Sequence, residues 1–541
     1  MNGRLLRACA VAIGVAAFSA SPRLAAQTPD ARVPTSVDEC VTNTRSNVEL
    51  YHTNNGAIGF KATDGDAGGF WPRGTGRRQY VYGGGLIVGA RKRVGATLAS
   101  LSAIAYNPFS GASWFTPGVV TATSESINRF RLYRSTDYDR STGAPIDTAD
   151  VRTGGAYWPV WHDASSGALG YEGYGGIFHY DTAARHPSAS GSPVMASSED
   201  IVATYHDRDI ARYEGETSAG LPIGLQIEES AYSWSEGPLR DVVVVRYRIF
   251  NVSSDTLFDC HVGWLLDLDI GSANNDRTGM VIADRAADTL DLAAAWSERE
   301  TDGGFGYVGL DVMESPEVDG ERFLRRRDGV VSIADEIGLG TFQNWGFDDN
   351  PSTAAERYAF MASGDRDVDD ARGDKKQLIA TGPFNLRPGD TAVTSFGLMF
   401  AMGGKGGDPD GTWDDLAPLV SLSQRAQRYF DAAFKLGGGF TSAPLQPTRS
   451  GVARLSIAPN PVGSAGGGMH AVASFTLTST ARAHVRLQDA RGAVVADTDL
   501  GMLGSGTHRI DIETASLPSG LYIVVVDAGA APMVGRIVIS H

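Results

Sequence analysis

Two stretches of this chain gather carboxylates closely enough to do chemistry. The first, "DLDIGSANND", brings Asp267, Asp269, Asn274, Asn275 and Asp276 to a strand end and the loop behind it. Hard oxygen ligands on one bend are what Ca²⁺ requires. The second, "GDRDVDDARGD", adds Asp365, Asp367, Asp369, Asp370 and Asp374. Such a cluster repels itself unless a cation or an arginine neutralises it, and Arg366 and Arg372 stand within the same stretch. Neither spacing is that of the twelve-residue EF-hand loop, so two readings stand side by side: Ca²⁺ as a cofactor, or solvated loop charge.

Other candidates are weaker. His162-Asp163, His179-x-Asp181 and His206-Asp207 could orient an imidazole for metal binding or proton transfer, yet nothing in their spacing gathers them, which favours surface or turn histidines. The chain holds no HExxH, GxSxG or CxxC motif. Glu228 and Glu229 are adjacent, so on a strand they point to opposite faces and cannot flank one glycosidic bond. The aromatic stretches "YWPVWHD" (157–163) and "GFWPRG" (69–74) fit a sugar-stacking platform, although such residues more often fill cores. Past the leader only Cys40 and Cys260 remain, and they either pair in an oxidising compartment or are buried separately.

The elements that must position these residues are mostly strands. The 66 glycines, and runs rich in Val, Ile, Tyr and Thr, point to an all-β protein. Its body, 40–436, reads as a large β-sandwich of one or two subdomains, with one closing helix. In "DVVVVRYRIFN" the alternation of Val243, Val245, Tyr247 and Ile249 with Val244, Arg246 and Arg248 predicts a half-buried strand with its arginines outward. The turn "NVSSDT" predicts a hairpin from this strand to the one ending near Ile270. Ser421 to Gln424 reads as a capping box that opens the helix, with Gly437 at its stop.

The N-terminus has the order of a secretory signal over 1–26: Arg4 and Arg7, an apolar stretch from Ala8 to Ala20 too short to span a bilayer, and Leu24-Ala25-Ala26 before Gln27. A polar lead-in covers 27–39. The formal charge of −16 becomes −19 once a leader carrying Arg4, Arg7 and Arg23 is removed, which makes nucleic acid and anionic lipid poor partners. No later stretch is long and apolar enough to predict a transmembrane helix. A linker rich in Gly, Pro and Ser spans 437–452, and a C-terminal module of short strands with β-sandwich spacing follows over 453–541.

Five stretches of that module, "APNPV" (458–462), "LQDARGAVV" (487–495), "GSGTHRIDI" (504–512), "LPSGLYIVVVDAG" (517–529) and "GRIVIS" (535–540), resemble in order and spacing the type A C-terminal sorting domain of the type IX secretion system. The resemblance implies a seven-stranded β-sandwich marked by Pro459, Asn460, Pro461, Gly492, Gly520, Tyr522 and Gly529. It also implies two partners, an outer-membrane translocon and a peptidase that removes the tail, and delivery to the cell surface or medium. The family often ends on a lysine-bearing strand, whereas Arg536 is the basic residue here and the chain ends Ile539-Ser540-His541. Segments of the body, among them "DLDIGSANNDRTG", resemble large secreted proteins that carry such a tail, a likeness that transfers no catalytic residue. The expected function is that of a secreted or surface protein for binding, adhesion or coat structure, with a glycan or surface partner. The alternative is a secreted hydrolase of polysaccharide or protein.

Overall fold

The computed structural model describes residues 38–61, 65–118, 131–150, 153, 157–162, 192–281, 291–298, 304–325, 336–367, 371–406, 408–431, 456–458, 462–463, 470–477, 481–489, 494–504, 506–527 and 533–540. The leader, the linker, Asp369, Asp370, His179 and Asp181 lie outside them, as do Pro459, Asn460, Pro461, Gly492 and Gly529.

The body is two antiparallel sheets packed face to face, and the protein is all-β with two α-helices among the described residues. In the first sheet the strands Arg78–Val94, Leu257–Leu268, Lys375–Leu386 and Thr341–Gly346 lie side by side in that order, with Thr341–Gly346 at the edge. At the centre of the second are Glu199–His206, Leu225–Ser233, Val242–Asn251, Thr391–Ala401 and Tyr307–Glu314. Val88, Trp264 and Ile379 from one sheet and Val243, Val245, Phe396 and Leu398 from the other share one buried core. Trp264 stacks on Phe396 at 6.0 Å and Trp71 on Phe400 at 6.0 Å, so large flat rings fill the space between the sheets.

A helix closes the outer face of each sheet. The shorter, α1 (Ala354–Met361), was not legible in the sequence. It opens on a capping box between Thr353 and Glu356, and its Ala354 and Met361 pack with Ile87, Leu265 and Leu378. The longer, α2 (Trp413–Phe430), sets Leu416, Leu419, Leu422, Ala426 and Phe430 against Val242, Val244, Tyr307 and Met399. It starts at Thr412 rather than at Ser421, and Pro418, which reads as a breaker, sits within it.

Two expectations are corrected here. Val242–Asn251 is buried on both faces, because α2 covers the side that alternation assigns to water. Arg246 therefore points into protein, where Glu314 grips it with two hydrogen bonds of 2.8 and 3.0 Å. The predicted hairpin is absent too. The turn after Asn251 carries the chain across the sandwich, so Val242–Asn251 and Leu257–Leu268 belong to different sheets. Asn251 fixes that crossing by donating to the carbonyls of Asp255 and Leu386.

Cys40 and Cys260 are free thiols. Cys40 lies on the outermost strand of the first sheet, and three strands separate it from the strand of Cys260. At about 4.8 Å per strand that separation exceeds the roughly 7 Å between Cα atoms that a disulfide spans.

Among the described residues, those of 456–540 form sheets of three and five strands that no body strand joins. Their core, built on Phe475, Leu487, Tyr522, Val524 and Ile537, draws no described residue from the body. Gly520 opens the strand Gly520–Asp527, and Tyr522 donates its hydroxyl hydrogen to the Pro518 carbonyl at 2.9 Å.

Candidate functional site

The two acidic stretches meet at one end of the first sheet's inner strands, around a lysine. In the register, Gly83, Asp267, Lys376 and Trp345 form one row across four strands. The Asp267 carboxylate accepts from Lys376 Nζ at 3.0 Å and from the Tyr106 hydroxyl at 2.8 Å. Lys376 Nζ also donates to Asp374 at 2.8 Å. Asp269 accepts from Gln79 Nε2 at 3.1 Å.

A glycine makes this packing feasible. A Cβ on Gly83 would stand 2.4 Å from the ring of Tyr106, so only the bare backbone lets the tyrosine lie over the sheet and reach Asp267.

The electrostatics follow from burial. Burial raises the Asp267 pKa, opposed by the Lys376 ammonium. Burial disfavours the charge on Lys376, but Asp267 and Asp374 outweigh it and hold the ammonium above its ordinary value. Asp269 has no lysine of its own. Burial, then the neighbouring charges of Asp267 and Asp374, push it up to about 6. A carboxyl of that strength exchanges protons near neutrality.

The remaining acidic residues are used separately. The Asp276 carboxylate accepts from the Ile270 amide at 3.3 Å. Asn274 is exposed, and the Asn275 carbonyl accepts from the Glu298 amide at 2.8 Å. Asp365 accepts from Gln343 Nε2 at 3.0 Å, and Asp367 from the Asn344 amide at 2.9 Å. Among the described residues no three His, Cys, Asp or Glu side chains converge as metal ligands do. Oδ1 of Asp267 faces the Lys376 ammonium, which supplies the positive charge a cation would, and Oδ2 is taken by the Tyr106 hydroxyl.

Glu228 and Glu229 diverge as strand alternation requires. Glu228 pairs with Arg248 at 2.8 Å, while Glu229 turns into the core and accepts from the Tyr205 hydroxyl at 2.7 Å. His206 is buried rather than superficial, and its Nδ1 accepts from the Arg208 amide. Asp207 does not orient it. Instead that carboxylate accepts from the amides of Gly224 and Leu225 and from the Tyr213 hydroxyl, and so fastens a loop. Trp71 and Trp158 are core residues.

The exposed aromatics lie elsewhere. Phe109 and Phe347 are 51% and 48% exposed, the only exposed phenylalanines among the described residues, and their rings meet edge to face at 6.4 Å. Lys376 Nζ lies 5.1 Å from the centre of the Phe347 ring, so the aromatic pair and the acidic cluster are one site. Neither phenylalanine has a sequence signature. The repeated glycine of "YVYGGGLIVGA" and the lysines opening "KKQLIATG" are the only local hints of the row beneath them.

No family model matches the chain, and no curated protein does. Among solved structures, a polysaccharide lyase is 11% identical over 76% of this chain and 46% of its own, with a TM-score of 0.17. A Faecalibacterium prausnitzii beta-glucuronidase is 14% identical over 51% of this chain and 46% of its own, with a TM-score of 0.13. The chain spans under half the length of each, and at these scores neither likeness bears on fold or activity.

Proposed function

We propose that this chain is an exported surface protein, a ligand-binding body delivered by a C-terminal sorting sandwich. The observation that carries the reading is the separate hydrophobic core of residues 456–540, which a detachable delivery module needs in order to fold whatever it accompanies. The five sorting-domain stretches and the secretory signal point the same way. Among the described residues no helix is long and apolar enough to cross a membrane. The partners are the outer-membrane translocon and the peptidase that trims the tail, and the destination is the outer surface or the medium.

A secreted hydrolase is the second reading, and Asp269, held at about 6, is what favours it. Binding is preferred because Asp267 and Asp374, the carboxylates beside it, both engage Lys376 instead of standing open as a nucleophile.

Deleting residues 452–541 tests the delivery reading in a host with this secretion system. The body is then retained in the periplasm, and continued surface display refutes the assignment. Asp269→Asn separates the two readings of the body, since a hydrolase loses turnover while a binding protein keeps its ligand.

A further inference from the structure

We propose that the Phe109–Phe347 corner is a binding platform for an uncharged carbohydrate chain. The inference rests on the body being a ligand-binding module and names its ligand class.

Both rings stand on backbone braced before any ligand arrives. Phe109 sits on the loop 107–112, where the Asn107 carbonyl accepts from Gly111 at 2.7 Å and the Asn107 side chain accepts from the Phe109 amide at 3.2 Å. Asn107 Nδ2 in turn donates to Glu214 at 2.6 Å, which also accepts from Trp114 Nε1 at 3.0 Å. The loop needs Gly111, whose φ is +72° and whose missing Cβ would fall 2.1 Å from the Phe60 ring. Phe347 opens a short 3-10 turn to Asp349, and Trp345 Nε1 clamps the end of that turn through Asn350 at 2.7 Å. Fixed apolar rings left in water on two independent supports are a feature that folding alone does not require.

Three observations select the ligand. The interplanar angle of 73° makes a corner that takes the face of one pyranose on one ring and its edge on the other. The border is polar: Asp348 and Asp349 are exposed and Asp374 is one-third exposed, so acceptors for hydroxyl groups lie beside the rings. Two rings bordered by carboxylates fit a small ligand rather than the roughly 800 Å² that a protein partner covers on each side.

Charge narrows the class. Asp269, Asp348, Asp349 and Asp374 repel uronate or sulfated glycans, since the buried Lys376 is already shared by Asp267 and Asp374. A quaternary ammonium needs open aromatic faces, and the Lys376 ammonium already lies over the Phe347 ring.

The test is isothermal titration of the mature full-length protein with xylan, mannan, laminarin and soluble starch as neutral probes, and with polygalacturonate and choline as charged ones. Saturable binding of at least one neutral polymer is expected. Phe109→Ala and Phe347→Ala, both at exposed positions, then weaken it at least tenfold each, while Trp413→Ala, an exposed aromatic on α2, leaves it unchanged. Circular dichroism confirms that the variants are folded. Binding of no neutral polymer, binding only of polygalacturonate or choline, or undiminished affinity in the double phenylalanine variant overturns the proposal. None of these results depends on export, so failure here and failure of the delivery reading are separately visible.

Discussion

Glu229 lies in the middle of the sandwich, between Tyr205 and Tyr247, with no cation at hand, and burial pushes its pKa from 4.5 up to about 8. The folded body therefore keeps this carboxyl protonated where the unfolded chain has already released its proton. Because the folded value is raised, its contribution is fully present below pH 4.5 and is lost as pH rises from 4.5 through 8. At 1.36 kcal/mol per unit, the loss reaches about 4 to 5 kcal/mol across that window. Glu229→Gln keeps an acceptor for the Tyr205 hydroxyl but carries no proton to lose. The variant should match the parent near pH 4.5 and exceed its stability by about 3 kcal/mol at pH 7. Urea unfolding at several pH values, followed by tryptophan fluorescence, measures this on the whole chain, because all nine tryptophans precede residue 432 and report on the body alone. A stability difference that stays constant between pH 4.5 and 8 would refute the protonated core carboxyl.

The acid side has its own marker. His52 is fully buried, with no hydrogen-bond partner on either ring nitrogen, and burial lowers its pKa to about 3. Its folded value is depressed, so its contribution is present above pH 6.5 and is lost as pH falls from 6.5 towards 3, by up to about 5 kcal/mol. His52→Leu should flatten that limb of the stability curve, and an unchanged acid slope would show that other groups dominate it. Gly83→Ala should lower stability by about 1 to 3 kcal/mol as its new methyl meets Tyr106, whereas Gly373→Ala, with nothing within 4 Å, should be close to neutral in the same urea titration.

Much of the fold was legible along the chain. The strand of Val242–Asn251 and that of Leu257–Leu268 fall where the β-rich runs stand, and the C-terminal strands follow their turn residues. Local pattern fixes such elements because propensity and turn chemistry act over a few residues. The same pattern misled where a distant element intervened. Arg246 reads as a surface residue until α2 and Glu314, far along the chain, cover it. Ser421 reads as a helix start because nothing nearby reveals that the preceding turns, Pro418 included, are already helical.

The candidate site divides the same way. Asp267, Asp269 and Asp374 stand out in the sequence as clustered carboxylates, because clustering is visible in one dimension. Composition and local order by themselves determined an all-β chain, the positions of its acidic stretches and a C-terminal module of short strands. Only the tertiary structure decided that Lys376 neutralises two of those carboxylates, that Tyr106 reaches one of them over a bare glycine, and that Phe109 and Phe347 share a corner. Apart from Lys376–Asp374, two positions apart, those pairings join residues more than a hundred positions apart, and the contact that sets a charge or exposes a ring is created when strands take their register, which no run of neighbouring residues encodes.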